Sequence, residues 1–171
     1  MDELTREDNA HHEAAHATLA YLFDFEIINF SIDPLDKNRL AHIELEDIYT
    51  NQSLIYRYCS TSRLAEKDCI QLLVGSMAKD KFKNQEWSPD SLGGKDDIDK
   101  VKSLIENMIT PGQIQPKLGE LSHEARIYLN DPVVWKTICV VAEVMLKNGD
   151  FSKKGLYQLL DKHLREHGKK A

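Results

Sequence analysis

Two histidines four residues apart, with a glutamate between them, lie in the stretch His11-His12-Glu13-Ala14-Ala15-His16-Ala17. His12-Glu13-x-x-His16 has the HExxH spacing of zinc hydrolases. On an α-helix, residues four apart stand on one face, one turn above another. His12 and His16 can therefore offer two imidazole nitrogens to one metal ion. Glu13, beside the first of them, is placed to reach a water next to the metal rather than the metal itself. Zinc lowers the pKa of a bound water to about 7, where a carboxylate can take its proton. The plain alternative is a polar helix that carries two histidines by coincidence.

Stepping outward, the elements that must position these residues can be read from capping signals and apolar spacing. Thr5 is a good N-cap with Glu7 and Asp8 in the first turn, and the Ala-rich sequence supports a helix to about Phe23. Its metal face runs through His12, His16 and Leu19, and the alanines at 10, 14 and 17 let other elements pack close. His11 points about 100° away around the helix and is expected at the surface or behind the ligands. Phe25 to Ile32 and Leu40 to Glu46 read as strands joined by a turn over Asp33 to Asn38, with Ala41, Ile43 and Leu45 on one buried face. The hairpin is either structural or an edge that pairs with an extended peptide.

Asn51 to Ser62 reads as a short helix holding Tyr56 and Tyr58. Arg63 to Phe82 reads as a helix with Ala65, Cys69, Leu72, Leu73, Ser76 and Met77 as core stripe. A Pro- and Gly-containing loop from Asn84 to Gly94 follows. A helix opens at Lys95-Asp96-Asp97-Ile98-Asp99, with Ile98, Val101, Ile105 and Met108 on its apolar side. Capping and dipole complementarity account for three aspartates there but do not choose among them. Thr110-Pro111-Gly112 ends this helix, and the segment up to Asn130 is expected to be mixed and partly loop. Asp131-Pro132 starts a helix on Val134, Ile138, Val141 and Met145. Ser152 caps a last one on Leu156, Leu159, Leu160 and Leu164. The pattern predicts one mainly α-helical domain over residues 1–171 with a small antiparallel β-sheet (α+β), the C-terminal helices of 131–166 packing on the core.

Composition narrows the partners. The net charge of −6, with no basic cluster beyond Lys169-Lys170, argues against nucleic acid and for a peptide or small-molecule substrate. Cys59, Cys69 and Cys139 are odd in number and lack a CxxC pair, which favours reduced thiols in a cytoplasmic protein. The acidic start does not read as a signal peptide, and the apolar runs are too short for a membrane span. His163-Leu164-Arg165-Glu166-His167 fits the reversed motif HxxEH, but it reads as a solvated helix end whose His and Lys complement the dipole.

The organisation resembles the zinc peptidase domain of the FtsH family (peptidase family M41), the membrane-anchored AAA+ proteases. The family's HEAGHA reads here His12-Glu13-Ala14-Ala15-His16-Ala17. Its L-x-G-x-x-A-E-E segment resembles Leu73-Val74-Gly75-Ser76-Met77-Ala78-Lys79-Asp80, and its T-G-A-x-N-D-L/I segment resembles Leu92-Gly93-Gly94-Lys95-Asp96-Asp97-Ile98. A further family segment, M-V-T-x-x-G-M-S-x-x-L-G, resembles Met108-Ile109-Thr110 through Lys117-Leu118-Gly119. The resemblance implies an aspartate as third zinc ligand, falling on Asp97, with Asp96 as a cap and Asp99 as a solvated charge. It implies a zinc (Zn²⁺) metallopeptidase site held by His12, His16 and Asp97, with Glu13 as general base, acting on peptides or unfolded protein segments. His42 and His123 are candidate oxyanion or supporting partners, or ordinary histidines.

Two departures from the family stand out: Ala15 replaces a Gly, which is expected to crowd the packing, and Gln113 replaces another. No GxxxxGK[ST] loop is present, so an ATPase partner or a homo-oligomer is a possible context. The other function that fits is a binding or adaptor module on a peptidase-like fold that has lost catalysis.

Overall fold

The computed structural model describes residues 5–31, 42–45, 62–89, 95–148 and 152–169. Helix α1 (Arg6–Leu22) begins at a capping box. The Asp8 amide donates to Thr5 Oγ1 at 3.1 Å, and the Thr5 amide donates to Asp8 Oδ2 at 2.9 Å. Every residue from Ala10 to Tyr21 is buried. A helix covered on all sides is a core element rather than a surface one. Its fully buried alanines at 10, 14, 15, 17 and 20 allow neighbours to approach from several directions.

Helix α2 (Ser62–Phe82) runs antiparallel to α1. At one end Lys83 Nζ lies 3.3 Å from Asp8 Oδ2 and the Phe82 ring stacks on His11 at 3.7 Å. At the other end Lys67 Nζ sits 5.5 Å over the Phe23 ring. Next come α3 (Lys95–Met108), a 3-10 turn (Pro111–Gln113), α4 (Ile114–Asn130), α5 (Pro132–Asn148) and α6 (Lys153–Leu164). Helix α1 lies mainly against α2 and α5, α2 is also covered by α3 and α4, and α6 rests on α5. Leu19, Ile70, Leu73, Ile105, Leu121, Ile138 and Leu160 belong to one apolar cluster that joins all six helices. The architecture is mainly helical. Among the described residues no helix is long and apolar enough to cross a membrane.

Strands β1 (Ile27–Ser31) and β2 (His42–Leu45) pair antiparallel, with Ile27 opposite Leu45 and Phe30 opposite Ile43. The register shifts between Ile27 and Asn29, which leaves Ile28 turned outward. The Ile27 amide donates to the Tyr157 hydroxyl of α6 at 3.2 Å, so the ribbon is tied to the helical core. The turn expected over Asp33 to Asn38, the helix with Tyr56 and Tyr58, Cys59 and the Gly93-Gly94 pair lie outside the described residues.

One expectation needs correcting. Residues 114–130 are one continuous helix, not a mixed segment. Pro116 falls in its first turn, where no amide partner is required, and Gly119 faces open space. The stripe Leu118, Leu121, Ser122, Ala125 and Leu129, all buried, has helical spacing throughout. The methyl of Ala15 is wholly enclosed in the apolar cluster. Gln113 replaces a glycine without strain, because its φ of −105° is ordinary for any residue.

Candidate metal centre

Helix α1 carries His12 and His16 one turn apart, and their Nε2 atoms lie 2.9 Å from each other. The first turn of α3 brings in Asp97, whose Oδ2 is 3.1 Å from His12 Nε2 and 3.5 Å from His16 Nε2. Among the described residues these three form a group of side chains able to share one metal ion. Asp96 and Asp99, on other sides of the same helix, are exposed. The choice among the aspartates thus follows from the angular position of Asp97 on α3.

The donor set fits a zinc ion. Three ligand atoms about 2.0–2.2 Å from a tetrahedral centre are roughly 3.3–3.6 Å apart; the observed 2.9, 3.1 and 3.5 Å are at most a few tenths of an ångström tighter, a gap that small rotations of the side chains close. The ring orientation agrees. His16 Nδ1 donates to the Gln71 carbonyl of α2 at 2.7 Å, which places the proton on Nδ1 and leaves Nε2 facing Asp97 and His12. Two imidazoles plus one carboxylate leave a fourth position for water.

The electrostatics favour a cation at this point. Burial works against ionising Asp97, yet hydrogen bonds and charge from His12 and His16 hold its carboxyl well below the usual carboxylate range. Burial likewise opposes charging His16, but Asp97, Glu13 and the Gln71 carbonyl raise its pKa above the ordinary imidazole value. A cluster that holds protons between its donors in this way also attracts a metal ion in their place.

Glu13 is buried, and its Oε1 lies 4.0 Å from His12 Nε2. That separation is too long for a hydrogen bond and suits a carboxylate that acts on a small molecule next to the ligands. The other carboxylate oxygen of Asp97 is 3.7 Å from Lys100 Nζ. An open groove of about 590 Å³ lies between α2 and α3, lined in part by Leu72, Asp96, Asp99 and Leu104. Neither the three candidate ligands nor Glu13 lines this groove, which takes its residues from the side of α3 that carries Asp96 and Asp99.

The remaining histidines divide differently from expectation. His11 is not on the surface: it is 5 % exposed, stacks on Phe82 and donates from Nδ1 to the Glu7 carbonyl at 2.9 Å. His123 is exposed on α4. The main chain of His42 pairs with Ser31 in the ribbon. His163 lies in the last turn of α6, and its carbonyl accepts from His167 Nδ1 at 2.9 Å beyond the helix end.

Two contributors were not assigned a role from sequence. The Gln71 carbonyl is a main-chain group and leaves no side-chain signal. Gly75, on α2, is packed directly against both imidazoles. A glycine inside a long helix, where it costs about 1 kcal/mol relative to alanine, was the available sign of a close approach. A scan against protein-family models finds no match for the chain, and a search of curated proteins finds none.

Proposed function

We propose that the chain is a zinc-dependent metallopeptidase domain of the type carried by the FtsH family, cleaving peptides or unstructured protein segments. The observation that carries this reading is the convergence of His12, His16 and Asp97 on one point, with Glu13 Oε1 4.0 Å from the nearest donor. His12, His16 and Asp97 would hold the metal. When bound, zinc polarises a substrate carbonyl and acidifies a water.

Glu13 takes the proton from the attacking water at a carboxylate oxygen and returns it to the departing amine. Its burial beside the site keeps it close to that water and away from bulk solvent. The Gln71 carbonyl holds the His16 ring in the tautomer that presents Nε2. Cys69 and Cys139 are unpaired, in keeping with a cytoplasmic setting.

The test is Glu13→Gln against wild type, with metal content and hydrolysis of a mixture of unstructured peptides both measured. About one zinc per chain in each protein, and hydrolysis in wild type alone, is the expected result. Equal hydrolysis by the variant would remove Glu13 from its role. Zinc-loaded wild type inert toward all the peptides would instead favour the binding-module function.

A further inference from the structure

The position of Gly75 on α2 has a bearing on the metal centre that its backbone does not explain. Its φ is not in the left-handed region, so the helix does not need a glycine there for conformational reasons. Alanine at a helix interior is favoured over glycine by about 1 kcal/mol. Yet a Cβ on Gly75 would lie 2.6 Å from His16 Cε1 and 2.9 Å from His12 Cε1, and closer still to His16 Nε2. All three contacts are with the two candidate ligands.

The two helices cannot easily part to make room. They are pinned by the Lys83–Asp8 pair and the His11–Phe82 stack. Ala14 and Ala17 of α1 and Val74 and Ala78 of α2 are fully buried in the same cluster. A close-packed core resists such movement. The imidazoles are the parts that can turn, and turning them ends their convergence with Asp97.

We propose that Gly75 is a positioning residue of the metal centre: the missing side chain keeps open the space in which His12 and His16 direct both Nε2 atoms at one point with Asp97. This inference rests on the metal-centre reading above. It assigns Gly75 no contact with substrate, and its effect passes wholly through the two rings.

Gly75→Ala tests it. Wild type and variant are prepared metal-free and titrated with Zn²⁺ alone and with Co²⁺ alone. The visible absorption of the Co²⁺ form reports four-coordinate geometry, and thermal melting reports the fold. The expected result is a cooperative melt with metal affinity at least about tenfold weaker and an altered Co²⁺ spectrum. Unchanged affinity and spectrum would overturn the proposal. A wild type that binds neither ion would overturn the metal-centre reading itself, a different outcome from wild-type binding that the variant matches.

A cycle in the His12→Ala/His16→Ala background covers the case in which Gly75→Ala alone fails to fold. With the rings cut back, adding Gly75→Ala should leave the melting temperature unchanged or raise it, as helix propensity predicts. If it lowers stability as much without the rings as with them, the glycine serves packing in general and the proposal is wrong.

Discussion

His16 Nδ1 donates to the Gln71 main-chain carbonyl at 2.7 Å, and this bond ties the second candidate ligand on α1 to the helix that packs against it. With Asp97 on α3 facing the same ring, three helices meet at one imidazole. Such a site does not exist in the unfolded chain, so metal binding there would be coupled to folding.

The first prediction follows from that coupling. A ligand bound only by the folded state adds about 2.7 kcal/mol of stability at a hundredfold excess over its dissociation constant. For a chain of this size that amounts to roughly 5–10 °C in Tm. Zn²⁺ should raise the melting temperature of the metal-free wild type by that order, and Asp97→Ala should lose most of the gain. Differential scanning calorimetry with and without Zn²⁺ measures both. An equal rise in Asp97→Ala would mean that another residue completes the site.

His11 gives the second prediction. Although it adjoins His12 in sequence, it faces Phe82 and the Glu7 carbonyl, not the metal point. His11→Ala should therefore cost stability, about 1–3 kcal/mol for a stacked and hydrogen-bonded buried ring, while zinc stoichiometry stays that of wild type. Denaturant melts and elemental analysis separate the two effects. Loss of zinc in a folded His11→Ala protein would contradict the geometry.

How far the sequence carried these assignments depends on the residue. The spacing of His12 and His16 was enough to place both nitrogens together, because helical periodicity is local. The aspartate was different: Asp96, Asp97 and Asp99 are equivalent by composition, and a family resemblance selected Asp97 before the rotation of α3 placed it against the histidines. The burial of His11 was not legible, since it depends on Phe82 arriving from a helix far along the chain. Helix α4 was missed although Leu118, Leu121, Ala125 and Leu129 have helical spacing: Pro116 is tolerated in the first turn, and the cost of about 1 kcal/mol for Gly119 in the interior is outweighed by burial of that stripe. Gly75 was visible as a residue and silent as to cause, because close approach is a property of two helices together.

The third prediction concerns acid. Lys117 Nζ lies 2.5 Å from Glu66 Oε1, joining α4 to α2. The Lys117 hydrogen bond, opposed by burial and helped by Arg63, holds the Glu66 carboxyl below its ordinary value of 4.5. A carboxylate with a depressed folded-state pKa stabilises the fold above its unfolded pKa, and that share is lost as pH falls through the folded value. Glu66→Gln should therefore cost on the order of 1–2 kcal/mol at pH 7. The gap between variant and wild type should close progressively below about pH 4.5. Melting temperatures from pH 7 to pH 3 test the sign: a gap that widens on acidification would show that the Glu66–Lys117 pair is not what stabilises the contact.

The fourth prediction turns on Ala15, where the FtsH family carries glycine. The methyl of Ala15 is fully enclosed in the apolar cluster on α1. Removing it takes away buried apolar surface and introduces a glycine into a helix interior, the latter alone costing about 1 kcal/mol. Ala15→Gly should thus lower the melting temperature by a few degrees, roughly 2–8 °C for a loss of about 1–2 kcal/mol. Zinc content should not change, because Ala15 is not a candidate ligand. If instead the variant gains stability, the methyl is a strain in α1 that the packing tolerates. The substitution then works in the direction opposite to Gly75→Ala, where adding a methyl is the change that the neighbouring rings cannot accept.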